Sequence, residues 1–185
     1  MKALLLIVTL LWTAVSWSGE PSHVFDPNDY DQSTGLLIIP ITAKADKEGL
    51  TSSYEQQTTK NLFIYDPSTR KGRKLFDKNY GQVTNYIIES ALTKEGAVEY
   101  LGTASNLVKN NQSIRNRLIR SSMLIETFNP STKLYTVWKS EKLSGSPIVM
   151  FSYTKPWSWH LDSRAGIIRL LIQEYENVSV KEYAW

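Results

Sequence analysis

The chain has 185 residues, of which 21 are Lys or Arg and 18 are Asp or Glu, so its formal net charge at pH 7 is only +3. So small a positive excess argues against a nucleic-acid partner, because nucleic-acid-binding faces are strongly basic. The chain contains no cysteine. This excludes a disulfide framework, a thiolate nucleophile, a cysteine-bound metal and a lipid anchor on an N-terminal cysteine.

Residues 1–18 have the composition of a secretory signal peptide. Lys2 supplies the positive n-region, residues 3–15 form an apolar h-region, and Ser16 and Ser18 provide small side chains before a cleavage site at Gly19. The apolar run is short for a membrane-spanning helix, and a polar segment follows it. We therefore predict a secreted or periplasmic protein that does not span the membrane after signal removal. The lack of disulfides favours a bacterial source.

The remaining chain predicts one all-β antiparallel domain. Residues 19–35 are polar and turn-rich, which indicates an extended lead-in, and residues 36–185 form the domain itself. Short segments rich in β-branched and aromatic residues alternate there with turn residues. They cover residues 36–42, 61–66, 73–76, 83–92, 97–101, 122–128, 133–139, 147–154, 157–162, 166–174 and 178–183. Pro40 indicates an edge strand or a bulge in the first of them.

Residues 103–120 depart from this β pattern. Their apolar residues are spaced roughly as on a helix, but Asn110 and Asn111 interrupt the run. A short helix and an ordered loop therefore both remain open for this segment.

One turn sequence occurs twice, 63 residues apart, as LFIYDPST in residues 62–69 and IETFNPST in residues 125–132. The Asp or Asn can accept backbone N–H bonds, and the proline presets φ for a type I turn. Each copy predicts a hairpin, which pairs residues 61–66 with 73–76 and residues 122–128 with 133–139. We expect Gly72 to take the left-handed conformation of a longer, bulged hairpin.

These strand–turn–strand units, residues 62–76 and 125–138, resemble the inner hairpins of β-propeller blades. A blade in known repeat families needs about 40–50 residues, so the chain is too short for a closed ring of blades. The expected architecture is a sandwich or an incomplete propeller, built from hairpins or from a duplicated unit. The alternative is that good hairpin turns simply converge on the same residues.

The densest candidate for catalysis is the segment WSWHLDSR at residues 157–164. On a strand, His160 and Asp162 share one face, so Asp162 could orient His160 as a general base, with Ser163 or Ser158 as the nucleophile. The alternative is a polar pair on a sheet face, because side chains two residues apart on a strand project in parallel. The sequence also lacks a Gly-x-Ser-x-Gly elbow.

Two further sets of residues are candidates for ligand binding. Trp157 and Trp159 on the opposite face could stack on sugar rings, or they could form part of the core. Arg115 and Arg117 lie in a stretch without acidic residues and could bind an anionic surface, or they could simply be solvated.

A metal site is not predicted, and neither is a cofactor. Asp26, Asp29 and Asp31 are weak candidates for calcium, because their spacing partly follows that of a calcium loop. However, Pro40 occupies the position where such a loop needs a bidentate glutamate. A solvated acidic segment is the alternative.

Two functions fit these observations. The first is an exported, non-catalytic binding or accessory protein of the cell envelope, whose partner is an envelope protein, a glycan or an anionic surface. The second is a small secreted hydrolase that uses His160 and Asp162.

Overall fold

The computed structural model describes residues 29–44, 57–102, 108–109 and 117–185, and these residues form strands and connecting turns without an α-helix. The strands are β1 (Tyr30–Asp31), β2 (Leu36–Lys44), β3 (Gln57–Asp66), β4 (Lys71–Lys74), β5 (Gln82–Leu92), β6 (Val98–Leu101), β7 (Val108–Lys109), β8 (Ser122–Asn129), β9 (Leu134–Glu141), β10 (Ile148–Tyr153), β11 (Ser158–Asp162), β12 (Ile167–Glu174) and β13 (Asn177–Ala184). The all-β prediction is confirmed.

The strands form three sheets. Sheet A has the order β1-β2-β3-β4, sheet B the order β10-β9-β8-β5-β6, and sheet C the order β13-β12-β11-β7. Neighbouring strands are antiparallel, except that β7 runs parallel to β11. Both predicted hairpins are confirmed, since β3 pairs with β4 and β8 pairs with β9.

Sheet B lies between the other two sheets and is covered on both faces. One core cluster joins sheet A to sheet B and includes Met123 and Ile125 of β8. The other joins sheet B to sheet C and includes Leu124 of the same strand. Burial on both faces explains why β8 has three consecutive apolar residues, Met123 to Ile125, and does not alternate there between apolar and polar residues. The fold is therefore a sandwich of three stacked sheets.

One turn geometry recurs four times. It joins β1 to β2, β3 to β4, β8 to β9 and β11 to β12, and in each case an Asp or Asn pairs with the residue five positions later. The residue before that partner has a positive φ, at Gly35 (76°), Arg70 (56°), Lys133 (59°) and Gly166 (67°). The sequence repeat identified only the second and third copies.

The expectation for Gly72 is wrong, because Arg70 takes the left-handed conformation in that hairpin. Gly72 lies inside β4, where a Cβ atom would overlap the ring of Phe63. Glycine is needed at this position so that an aromatic ring on the neighbouring strand can cover the backbone.

The start of sheet A also differs from expectation. Asp31 pairs with Leu36, so residues 30–35 form a hairpin of the domain and not the end of a lead-in. The prediction for Pro40 is confirmed, because a register shift follows it between Ile41 and Thr42.

Several predictions fall wholly or partly outside the described residues. The signal peptide (1–18) and lead-in residues 19–28 lie outside them, as does most of residues 103–120, of which 108–109 form β7. Within the described ranges, no helix is long and apolar enough to cross a membrane.

Candidate functional site

The catalytic candidates lie on sheet C. Side chains alternate along β11, so Trp159 and Leu161 enter the core while His160 points to the opposite face. The strand register places His160 beside Arg169 of β12, and Arg169 beside Glu182 of β13. We call this side the outer face of sheet C, which also carries Leu171, Val178 and Val180.

The carboxylate of Asp162 accepts hydrogen bonds from an arginine and from the backbone. Its Oδ2 accepts a bond from Arg169 Nη1 at 2.9 Å, and its Oδ1 accepts a bond from the backbone N–H of Ala165 at 3.0 Å. Arg169 Nε also donates to Glu182 Oε1 at 2.7 Å. The hydrogen bonds to Asp162 and Glu182 raise the pKa of Arg169, so its charge is fixed. We call Asp162, Arg169 and Glu182 the charged row.

Ser163, the candidate nucleophile, is fully buried. It begins the turn after β11, and its carbonyl accepts a bond from Arg117 Nη2 at 3.4 Å. The structure thus places Ser163 inside the protein, while His160 lies on the outer face and is half-buried. The catalytic arrangement remains a prediction.

The tryptophans lie on the inner side of sheet C. Trp159 is only 3% exposed, and its Nε1 donates to Glu126 Oε2 at 2.6 Å. Trp157 is partly buried against the same core cluster. Trp159 is therefore a core residue and offers no free ring face to a sugar.

Glu126 forms a buried polar cluster that sequence reasoning missed. Its Oε2 accepts bonds from Tyr153 Oη and Trp159 Nε1, both at 2.6 Å. Its Oε1 accepts bonds from Thr84 Oγ1 at 2.5 Å and Asn85 Nδ2 at 2.7 Å. Burial and the bond to Glu126 raise the pKa of Tyr153. The sequence signal was a lone glutamate within the apolar run of β8.

The candidate Arg117 is bound within the protein. Its Nη1 and Nη2 each donate to the buried carboxylate of Glu89 at 2.7 Å, and Arg120 Nη1 donates to the same carboxylate at 2.9 Å. Close by, burial raises the pKa of Tyr100 to about 12. Arg117 is thus engaged by Glu89, and Arg115 lies outside the described residues.

The calcium candidates also have internal partners. Asp31 is buried and forms an ion pair with the buried Lys142 at 3.1 Å, and Asp29 accepts a bond from Tyr86 Oη at 3.0 Å. Asp26 lies outside the described residues. In the part of the chain that the structure describes, His, Asp and Glu side chains form no group of three that could hold a metal.

A shallow cleft of about 230 Å³ lies on sheet A, with Leu36 and Ile64 in its lining. Arg73 lines one wall and donates to the carbonyls of Glu141 and Lys142 at 3.1 and 3.3 Å. Burial lowers the pKa of Arg73. These bonds tie the β3–β4 hairpin to the end of β9 and the residue after it, which indicates a structural role for the arginine.

The outer face of sheet C also carries exposed apolar side chains. Val178 is 67% exposed and Val180 is 50% exposed, and the register places them beside Gln173 and Leu171 of β12. An apolar patch next to a row of fixed charges is the kind of surface that a partner can cover.

The chain matches no known family model, no curated protein and no solved structure. Its own residues define an all-β protein of three stacked sheets, with a solvent-facing surface of mixed apolar and charged character on sheet C.

Proposed function

We propose that this chain is an exported, non-catalytic binding or accessory protein of the cell envelope, and that it binds a protein partner through the outer face of sheet C. The observation that carries the proposal is the pair of exposed valines beside the charged row. Apolar side chains rimmed by charges are typical of protein-binding surfaces. Export rests on the composition of residues 1–18.

The contacts of the buried carboxylates support a non-catalytic, binding role, because these groups are bonded within the protein. Glu89 accepts hydrogen bonds from arginines, and Glu126 accepts them from neutral donors. Asp31 accepts bonds from Ser33 and Thr34 and forms an ion pair with Lys142. Carboxylates committed in this way hold sheets together. This favours a stability role over proton transfer to a substrate.

The charges of the outer face favour one class of partner. The charged row contains one cation, Arg169, between two carboxylates, so an anionic surface would meet a net negative charge there. A protein segment with apolar and basic side chains fits this face best. It would cover Val178 and Val180 and approach Glu182 with its positive charge.

The first test distinguishes a binding protein from a hydrolase. The purified mature protein and its His160→Ala variant are screened against ester, peptide and glycoside substrates, and both are expected to show no turnover. Turnover that disappears in His160→Ala at an unchanged melting temperature would establish the hydrolase instead. N-terminal sequencing of the exported protein checks the predicted cleavage before Gly19.

The second test addresses the binding face. A photo-cross-linking amino acid replaces Val178, and in a control variant it replaces Leu134, which is also exposed but lies on sheet B. In envelope extracts of the source cells, we expect that only the Val178 variant forms covalent adducts with a different protein. Equal adducts from both positions would argue against this face.

A further inference from the structure

β13 differs from the other strands that lie at sheet edges in the described parts of the chain. β4 has only four residues, three of them basic, and β6 also has four. β1 has only two residues, and β2, which forms the same edge beyond it, contains Pro40. The pairing of β10 shifts register between Val149 and Phe151. Short length, positive charge, proline and bulges all discourage an edge from pairing with another strand. β13 has eight residues, no proline and an unbroken register with β12.

The register identifies which backbone groups of β13 face outward. The N–H of Trp185 donates to the carbonyl of Gly166 at 2.9 Å, and these two residues continue the β12–β13 register. In an antiparallel ladder, residues alternate between hydrogen-bonded and non-hydrogen-bonded pairs. Residues 177, 179, 181 and 183 therefore bond to β12. Val178, Val180, Glu182 and Ala184 direct their N–H and C=O groups to the open edge.

From this edge we infer a site for self-association. We propose that two copies of the chain pair through β13, antiparallel across a two-fold axis, with Val180 of one copy opposite Val180 of the other. Sheet C then continues across the two copies as one eight-stranded sheet. The inference goes beyond the proposed function and does not depend on it.

The charged residues of β13 favour this register over the neighbouring registers. Centred on Val180, the pairing places Val178 opposite Glu182 and Ser179 opposite Lys181, so no like charges are opposed. A two-fold axis at Lys181 would oppose two lysines, and one at Glu182 would oppose two glutamates. An axis at Ser179 would oppose Glu176 and Glu182. Like charges directly opposite each other destabilise a strand pair.

The exposure of the valine side chains on β13 also favours pairing with a second copy of the chain. Val180 is half exposed and Val178 more so, and the proposed pairing brings the valines of both copies together on the outer face. Backbone bonds then supply the donors and acceptors for which this edge has no neighbouring strand among the described residues. The partner is therefore a strand identical to β13.

Val180→Pro tests the backbone argument. The N–H of Val180 faces the open edge, so proline there removes an intermolecular donor and leaves the β12–β13 bonds intact. The control is Val180→Thr, which keeps both the N–H and the β-branched shape. Sedimentation velocity from micromolar to millimolar concentration should show a dimer for wild type and for Val180→Thr. Association of Val180→Pro should be weaker by about 10- to 100-fold, because both copies lose the bond.

Single cysteines test the register, because the natural chain has none. Two Val180→Cys copies would place their Cα atoms about 5.5 Å apart, which is within disulfide range. Under mild oxidation they should cross-link much faster than Tyr175→Cys copies, whose site is 99% exposed but lies far from its own symmetry mate in this register.

Each contrary result overturns the proposal. A wild-type protein that remains monomeric at every concentration contradicts self-pairing. A dimer that persists in Val180→Pro, with that variant folded by circular dichroism, places the interface elsewhere. Equal cross-linking rates at the two cysteines contradict the register.

Discussion

At the scale of single residues, Glu126 makes the most consequential contacts. Its four donors come from β5 and β10 of sheet B and from β11 of sheet C, so one carboxylate ties sheet B to sheet C. A buried carboxylate is costly unless its lone pairs are satisfied. Here each oxygen accepts two bonds, which makes the cluster sensitive to the loss of any member.

We expect Glu126→Gln to lower the free energy of unfolding by about 2–3 kcal/mol, because an amide N–H₂ would face donors where an acceptor is required. Tyr153→Phe should cost less, about 1–2 kcal/mol, since it removes one donor and leaves the carboxylate three others. Urea denaturation measures both. The control is Ser152→Ala, which removes an exposed bond to Thr136 and should change stability by less than about 0.5 kcal/mol. A Glu126→Gln variant as stable as this control would contradict the structural role.

The sequence pattern identified some of the ion-paired residues, but it did not predict the structural roles that they have. Asp162, Arg117 and Asp31 stood out as candidate functional residues, but each has an ion-pair partner that is distant in sequence or on another strand. Lys142, for example, is 111 positions from Asp31. The sequence shows which residues carry a charge. It does not show which of them form ion pairs, because that depends on how the strands align and the sheets stack.

At the scale of elements, the recurring turn shows what a local pattern can predict. Two copies were visible because both contain Pro-Ser-Thr. The copies at Asp31 and Asp162 lack the proline, yet they have the same register and the same left-handed residue. The common requirement is an Asp or Asn whose side chain accepts backbone N–H bonds within the turn. Proline is compatible with this turn but is not required for it.

Two copies of this turn form a matched pair for a stability experiment. Asp66→Ala removes exposed turn bonds from Ser68 and Thr69, and we expect only a small loss of stability because solvent can replace them. Asp31→Ala removes equivalent bonds and also leaves the buried Lys142 without its carboxylate, so we expect a loss of about 3–5 kcal/mol.

Equilibrium unfolding in urea gives both values for this pair. Asp31→Asn serves as the control, since it keeps a turn acceptor but loses the ion pair, and should fall between the two alanine variants. Equal losses for Asp31→Ala and Asp66→Ala would show that the Lys142 ion pair adds nothing to stability.

At the scale of the whole molecule, the sequence predicted the class and most strands but not the stacking of three sheets. The order of sheet B depends on the pairing of β5 with β8, and the edge of sheet C on the pairing of β7 with β11. Both pairings join strands that are far apart in sequence, and no turn motif marks them. The one local sign was β8, where the consecutive apolar residues Met123, Leu124 and Ile125 indicate burial on both faces.

The strand predicted at residues 178–183 is confirmed as β13, but its valines face solvent and Trp185 provides the buried anchor. The Trp185 ring lies 4.7 Å from the Arg120 guanidinium, and its carbonyl accepts a bond from Arg120 Nε at 3.1 Å. Arg120 also binds Glu89 of sheet B. Trp185 therefore connects the last strand of sheet C to the middle sheet.

Trp185→Ala should accordingly lower the free energy of unfolding by about 3–5 kcal/mol, as is usual for removal of a large buried aromatic ring. Val178→Ala, on the same strand but largely exposed, should change it by less than about 1 kcal/mol. Hydrogen exchange adds a spatial readout, because loss of the anchor should accelerate exchange in β13 before it affects β8 at the centre of the sandwich. Uniform acceleration across all three sheets would mean that Trp185 contributes only to global stability and does not dock sheet C in particular.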